Sequence, residues 1–462
     1  MHTPACGAAL LLVLLGLARG AEGEGRIAPS PGNPRYWAYK GRTALLLGGS
    51  DEDNLFNDPE LMGRNLEALQ EAGGNYIRCT LSCRDEGNVW PFARIGDAYD
   101  LDRPNAEFWT RLHRCIRECA RRDIIVQIEI WATFDYYRDN WRRNPFNPAN
   151  NRNYTTENTR LETEWNHHPH AKPQPFFHSP PKLNDDRVLL GHQQAFVRKV
   201  LDVALDAPNV LYCLDNETKA PAEWAHYWAR FLHDEARRRG TAIQLTEMWD
   251  WWDLRERGHA RTYAHPQLFA FTDVSQNNWN QGQTHYDRFL WYRAGLLEHG
   301  GPRPMNCVKI YGAPRPRRPR DTALNVDRFW KCVFAGCASA RFHRPPTGIG
   351  LDADARAAIR AARAFTDAFD LFAAEPHNDL LSERSDDEAY CLAEPGAAYA
   401  LYFPAGGAVR LAAAPARRWR VRGFDPRTAR FTPSRPAEGG SLLVECPDAK
   451  LPWLVLVQPD EP

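Results

Sequence analysis

The sequence predicts a (β/α)8 barrel followed by a small antiparallel β-sandwich, and three observations carry that prediction. From about residue 43, strand-like apolar runs alternate with helical stretches, the pattern of parallel strands joined by helical crossovers. The alternation counts eight strands and eight helices over roughly 330 residues, the size of a TIM barrel carrying loop insertions. After about residue 375 the texture changes to short β-like runs split by Pro, Gly and Asp, which reads as a sandwich.

Taken in order, the strands are expected at 43–50, 75–82, 124–134, 209–217, 242–250, 267–276, 303–312 and 339–345. Amphipathic stretches such as AEFWTRLHRCIRECARRD and DADARAAIRAARAFTDAFD supply the helices between and after them. A segment at about 135–188, rich in Asn, Pro, His and Trp, interrupts the alternation after strand three. Insertions of that length in a compact domain are usually functional or disordered. A doubly wound sheet is the competing reading. It would often carry a Gly-rich phosphate loop, and only Gly48-Gly49-Ser50 follows strand one.

At 462 residues the chain exceeds one ordinary domain, and two fit better. Its 58 basic and 58 acidic side chains cancel, which demotes nucleic acid as a partner. The run 8–18 has the length of a signal-peptide core, with cleavage expected after Gly20. The expected organisation is a signal peptide at 1–20, the barrel at 21–375 and the sandwich at 376–462, in a secreted or periplasmic protein. No later run is long and apolar enough for a transmembrane helix. Ten cysteines follow residue 20. An even number in an exported chain suggests disulfides, and Cys391 with Cys446 is the expected bridge. Cys79, Cys213 and Cys307 fall within apolar strands, where Cys behaves as a small hydrophobe.

In such a barrel, inward residues alternate along each strand and the active site forms at the strands' C-terminal ends. Strand two turns Arg78, Thr80 and Ser82 to one face, strand three Gln127 and Glu129, strand eight Arg341 and His343. Charges placed there must be paired or functional, and an internal Arg78–Glu129 ion pair is as good a reading as catalysis. Strand four ends in Asp215-Asn216-Glu217, where a barrel displays catalytic groups. Glycoside hydrolysis needs two carboxyl groups, one to protonate the leaving oxygen and one as nucleophile or base.

An apolar strand closed by Asn-Glu resembles the strand-four end of clan-A retaining glycosidases. The resemblance implies that Glu217 is the acid/base, that Asn216 binds the sugar's 2-hydroxyl, and that Arg78 is the arginine at the end of strand two. More narrowly, LLLGGSDEDNLF, NVLYCLDNE, YALYFPAGGAVRL and FDPRTARF resemble the secreted apiosidase-like glycosidases, whose C-terminal sandwich carries a collagen-binding label. That implies a carbohydrate substrate and no cofactor.

One departure stands out. Clan-A enzymes place the nucleophilic Glu at the end of strand seven, where this chain has Val308, Lys309 and Ile310. The second carboxylate must come from elsewhere. Asp273 is favoured, because FAFTDVSQ puts it in register with the inward face; Asp250, Glu247 and Glu129 are the other candidates, with Asp51 and Asp53 further off. Lys309 and Arg341 at the mouth would bind an acidic sugar or sulfate, or else pair with Asp273 or Asp250. Aromatics crowd the expected rim: Trp131, Tyr136, Tyr137, Trp249, Trp251, Trp252, Trp279 and Tyr311. His167, His168 and His170 in the insertion read as solvated loop residues rather than a metal site.

The reading is therefore a secreted glycoside hydrolase with its cleft roofed by the insertion. Two rivals remain open at this stage: a non-catalytic carbohydrate-binding protein on a degenerate barrel, and a polysaccharide lyase. The lyase would use Lys309, Tyr311 or His343 as base, with Arg341 neutralising a uronate.

Overall fold

The computed structural model describes residues 25–312, 321–415, 417–448 and 450–460. The expected signal peptide and the Arg/Pro-rich loop 313–320 lie outside the described residues. Eight parallel strands form one sheet in the order five, four, three, two, one, eight, seven, six. They are Leu46–Gly49, Tyr76–Thr80, Ile125–Ala132, Val210–Asn216, Leu245–Thr246, Thr272–Asp273, Met305–Ile310 and Ser339–Phe342. The seam between strands six and five closes where the Ala270 N–H donates to the Leu245 carbonyl at 3.0 Å. Five of the barrel helices begin at side-chain caps: Asp58, Asn105, Asp186, Asp321 and Asp352 each accept a first-turn backbone N–H. The (β/α)8 barrel is the fold.

Four expected elements are shorter than the apolar pattern suggested. Strands five and six are two residues long. The eightfold count also predicts a full crossover helix between them, and the structure has only Ala260–Tyr263. Past Thr246, strand five keeps bonding to strand four irregularly, with the Met248 N–H on the Asp215 carbonyl at 3.3 Å, whereas the apolar run of strand six lies in turns. After Pro266 the Leu268 and Phe269 N–H groups bond back to His265, so QLFAF coils before Thr272 pairs. Strand one is also shorter, because Arg42–Ala44 belongs to an antiparallel three-stranded sheet with Ala28–Pro29 and Trp37–Tyr39. From that sheet Trp37 donates its indole N–H to Asn306 Oδ1 at 2.9 Å, inside the barrel, where Asn306 also meets Tyr76. Strand one tolerates no side chain at Gly48, whose added Cβ would lie 1.8 Å from the Tyr76 carbonyl oxygen.

The insertion is ordered. Asn144, Asn147, Asn150 and Asn151 each donate to two or more backbone carbonyls or close local turns through their own oxygens. Phe146, Phe176 and Phe177 give it an aromatic core.

Beyond the barrel, a seven-stranded antiparallel sheet faces a three-stranded one formed by Leu381–Ser382, Ala408–Ala412 and Ser441–Glu445. Tyr399, Leu401, Val409, Trp419, Val444 and Val455 fill the space between them. The other face of the large sheet, with Tyr390, Tyr402, Phe424, Leu454 and Leu456, joins the hydrophobic core of the barrel. Buried Lys331 bridges the two parts, pairing with Asp327 at 2.7 Å and Asp387 at 2.6 Å. The expected Cys391–Cys446 bridge is corrected: all ten described cysteines are free thiols, and nine of them are buried as small hydrophobes. Among the described residues no helix is long and apolar enough to cross a membrane.

Candidate active site

The site is built around Arg78, which strand two buries in the barrel. Its guanidinium donates to Glu129 Oε2 at 2.7 Å, Thr80 Oγ1 at 2.6 Å and Asn216 Oδ1 at 3.2 Å, and pairs with Asp53 at 3.2 Å. The internal ion pair with Glu129 is thus present, and Glu129, wholly buried and doubly held by Arg78 and Thr80, faces no opening. Asp53 comes much closer than its place after strand one suggested. Burial opposes its charge, but Arg78, Arg341 and Arg344 at 3.2 Å outweigh that and hold its pKa far below the usual range.

Strand four ends at Asn216, and the next residue turns sharply. Glu217 takes φ of +58°, a left-handed conformation that a side-chain-bearing residue adopts at a cost of roughly 1–3 kcal/mol. Strand five pins the following residue: Thr218 N–H donates to the Met248 carbonyl at 2.9 Å, and Asp250 N–H to the Thr218 carbonyl at 3.0 Å. The Glu217 carboxylate accepts from Lys309 Nζ at 2.5 Å, the Tyr311 hydroxyl at 2.8 Å and Gln276 Nε2 at 3.0 Å. Its side chain is 18% exposed and that of Lys309 only 2%. Burial alone would raise its pKa, but the Lys309 charge and these three hydrogen bonds bring it down to about 2. Lys309 also donates to Asn216. The strand-seven position that lacks a carboxylate therefore supplies the cation that holds the strand-four carboxylate ionised.

Asp250 follows strand five. Its pKa is raised, first by burial and then by the negative charge of Glu217, against a hydrogen bond from His170 of the insertion. The two carboxyl groups feel each other's charge. Asp273, the favoured second carboxylate, ends strand six. It pairs in register with Asn306, three residues before Lys309 on strand seven, so it sits a layer below the mouth. Burial pushes it up to about 6, and its Oδ2 is buried without a hydrogen-bond partner. Gln276, three residues later, is the strand-six side chain that reaches Glu217.

Aromatic rings line this region. Tyr311 stacks on Trp279 at 4.6 Å and 20°, and His343 meets it edge-on at 4.7 Å. Trp251 and Trp252 stack at 6.4 Å and 23°, with Lys219 4.4 Å over Trp251 and 48% of Trp252 exposed. Trp249 is held lower, between Lys219 and Arg261, with its N–H on Glu256 at 2.8 Å.

Two further expectations are corrected. Trp131 is fully buried among Phe146, Phe176, Phe196, Trp224 and Trp228, so it is core, as are Tyr136 and Tyr137. Arg341 is not at the mouth. It is fully buried, donating to the Val308 carbonyl at 2.8 Å and to Ser50 Oγ. His343, nearly buried, is pushed down to about 3 by desolvation and so is a neutral, very weak base. Among the described residues no cluster of His, Cys, Asp and Glu is arranged to hold a metal.

Sequence reasoning missed Gln276 and took His170 for a solvated loop residue. A polar run at the end of strand six was the only signal for the first, and nothing in the loop pattern singled out the second.

No family model matches the sequence, and no curated protein matches it. Solved structures do. A glycoside hydrolase family 5 protein from Bacteroides vulgatus is 13% identical, with 94% of each chain covered and a TM-score of 0.62. A second, described as a glycoside hydrolase, is 11% identical over 95% of this chain and 97% of its own, also at 0.62. At these identities the likeness establishes the fold, and it runs nearly the full length of the chain.

Proposed function

We propose that the protein is a secreted glycoside hydrolase acting on a polysaccharide or oligosaccharide. The observation that carries this reading is the pair Glu217 and Asp250, neighbouring carboxyl groups whose surroundings push their pKa values in opposite directions. Glycoside hydrolysis needs two carboxyl groups in different roles, and these two sit in different surroundings, Glu217 against Lys309, Tyr311 and Gln276 and Asp250 against His170. A carboxylate titrating near 2 is too weak a base to trade protons at neutral pH, but it is always ionised and therefore suits a nucleophile. Glu217 accordingly attacks the anomeric carbon, and Asp250 protonates the leaving oxygen. Water then releases the sugar from Glu217 with Asp250 as base, and the configuration is retained. This reverses the acid/base role that the clan-A resemblance implies for Glu217, and the cause is Lys309.

Asn216, held by Arg78 and Lys309, binds the sugar beside the reacting carbon, with Tyr311 and the Trp251–Trp252 pair as apolar surfaces for further residues. The apiosidase-like resemblance and the glycoside hydrolase neighbours support the same reading. So does an N-terminus with signal-peptide character ahead of a barrel at 21–375 and a sandwich at 376–462. No cofactor is invoked. A glycoside with a good leaving group and a 2-fluoro substituent should leave its sugar covalently on the peptide carrying Glu217, read by mass spectrometry. A label on another carboxylate, or inverted products, would refute the assignment.

One observation favours a second reading. A Lys309–Glu217 ion pair in place of two facing carboxylates is also what a non-catalytic sugar-binding barrel would retain. That protein would bind glycans without cleaving them. The lyase reading loses Arg341, which is sealed from the cleft, and His343, which is too weak a base.

A further inference from the structure

We propose that His170, carried by the insertion, is a positioning residue of the active site that holds the Asp250 carboxyl in place for proton transfer. The proposal rests on the reading of Asp250 as the proton donor. It makes the insertion part of the catalytic apparatus rather than a cover over it.

The geometry begins in the insertion itself. Arg138 N–H donates to the Trp165 carbonyl at 2.7 Å, and Lys172 lies 4.4 Å over the Trp165 ring, so the stretch between them is anchored at both ends. Pro169 is buried, and the Ala171 N–H closes a turn on the His168 carbonyl at 2.9 Å. His168 Nδ1 accepts the His170 N–H at 3.2 Å, its ring meets the His170 ring edge-on at 5.0 Å, and Phe134 packs against it at 5.7 Å. This turn presents His170 Nε2 to Asp250 Oδ2 in a direct hydrogen bond. Trp251 flanks the imidazole at 6.2 Å. On its other side Asp250 is fixed by its own N–H on Thr218. An exposed loop histidine with no task would not need a seat of this kind.

The charged groups facing Asp250 come from three places. The insertion gives His170 and His168, the segment after strand four gives Glu217 and Lys219, and strand seven gives Lys309. Of these, His170 alone touches the carboxyl by a hydrogen bond. In the first step the bond from the anomeric carbon to the leaving oxygen breaks as the bond to Glu217 forms, and that oxygen takes the proton of Asp250. Asp250 is then a carboxylate until water attacks and returns a proton to it. A His170 N–H donated to that carboxylate orients it and stabilises it between the steps.

Removing the donor should therefore raise the pKa of Asp250. In His170→Ala the alkaline limb of the kcat/KM profile should move up by about half a unit or more, with kcat reduced roughly tenfold. His170→Gln, which keeps an N–H donor, should recover part of both. Asp250 can also be followed directly, by carboxyl-13C aspartate NMR with Asp250→Asn identifying its resonance, which needs no substrate. The proposal expects its midpoint to be higher in His170→Ala than in wild type. An identical midpoint would overturn it whatever becomes of the hydrolase reading. An unmoved pH limb in an active His170→Ala enzyme would also overturn it while leaving that reading intact. A shifted Asp250 midpoint in a protein that cleaves no glycan would defeat the hydrolase reading and the positioning role with it.

Discussion

Glu217 is held in a backbone conformation that few residues accept, and its carboxylate is held by Lys309 of strand seven and by Gln276 and Tyr311 just beyond strands six and seven. Its depression from an ordinary 4.5 to about 2 corresponds to something on the order of 3 kcal/mol. Because the folded pKa lies below the unfolded one, that stability is present above pH 4.5 and disappears as pH falls toward 2. Replacing Lys309 by Met removes the main charge that offsets burial, so Glu217 should titrate well above 2. The acid limb of activity should move up accordingly, and a limb that stays where it was would show that Lys309 does not govern the carboxylate. Asp273 has the opposite sign. Its folded pKa of about 6 exceeds an ordinary 3.8, so it costs stability increasingly as pH rises through that interval. Asp273→Asn should therefore raise Tm at pH 8 and change it little near pH 4, while activity stays within about tenfold of wild type. A much larger loss of activity would restore Asp273 as the second carboxylate.

Among the elements, the insertion and the ends of strands four and five divide the aromatics into two kinds. Trp131 packs against six large rings of the insertion and the surrounding helices, and its loss leaves a void. Trp131→Ala should cost about 3–5 kcal/mol by denaturant unfolding. Trp252 is half exposed and stacked on Trp251, so Trp252→Ala should leave stability within about 0.5 kcal/mol of wild type and raise KM. The reverse pattern would mean that the cleft lies elsewhere. These two residues also show why the rim was misread. Both fall near the C-terminal end of a strand, and only the packing partners, which come from distant helices, separate core from cleft.

For the whole molecule, the eightfold alternation was legible because strand and helix periodicity are local properties of the chain. The texture change near residue 375 was legible for the same reason, as were Asn216, Glu217 and the missing strand-seven carboxylate. What could not be read was tertiary. Lys309 meets Glu217 across 92 positions of sequence, and His170 meets Asp250 across 80. The shortness of strand six depends on backbone bonds to turns that an apolar run does not reveal. The absent disulfide follows from burial: thiols packed as hydrophobes in both cores need no partner. The sandwich shares the barrel's core and clamps it through Lys331, so the full chain is the unit to test.

The central claim is that Glu217 and Asp250 cleave glycosidic bonds. Its most direct test incubates wild type, Glu217→Gln and Asp250→Asn with a panel of plant, algal and bacterial polysaccharides, with products read by mass spectrometry. The account predicts saturated oligosaccharides from wild type and losses of at least about a hundredfold in each variant. Glycan binding by all three proteins with no products from any would contradict it and identify a sugar-binding barrel instead.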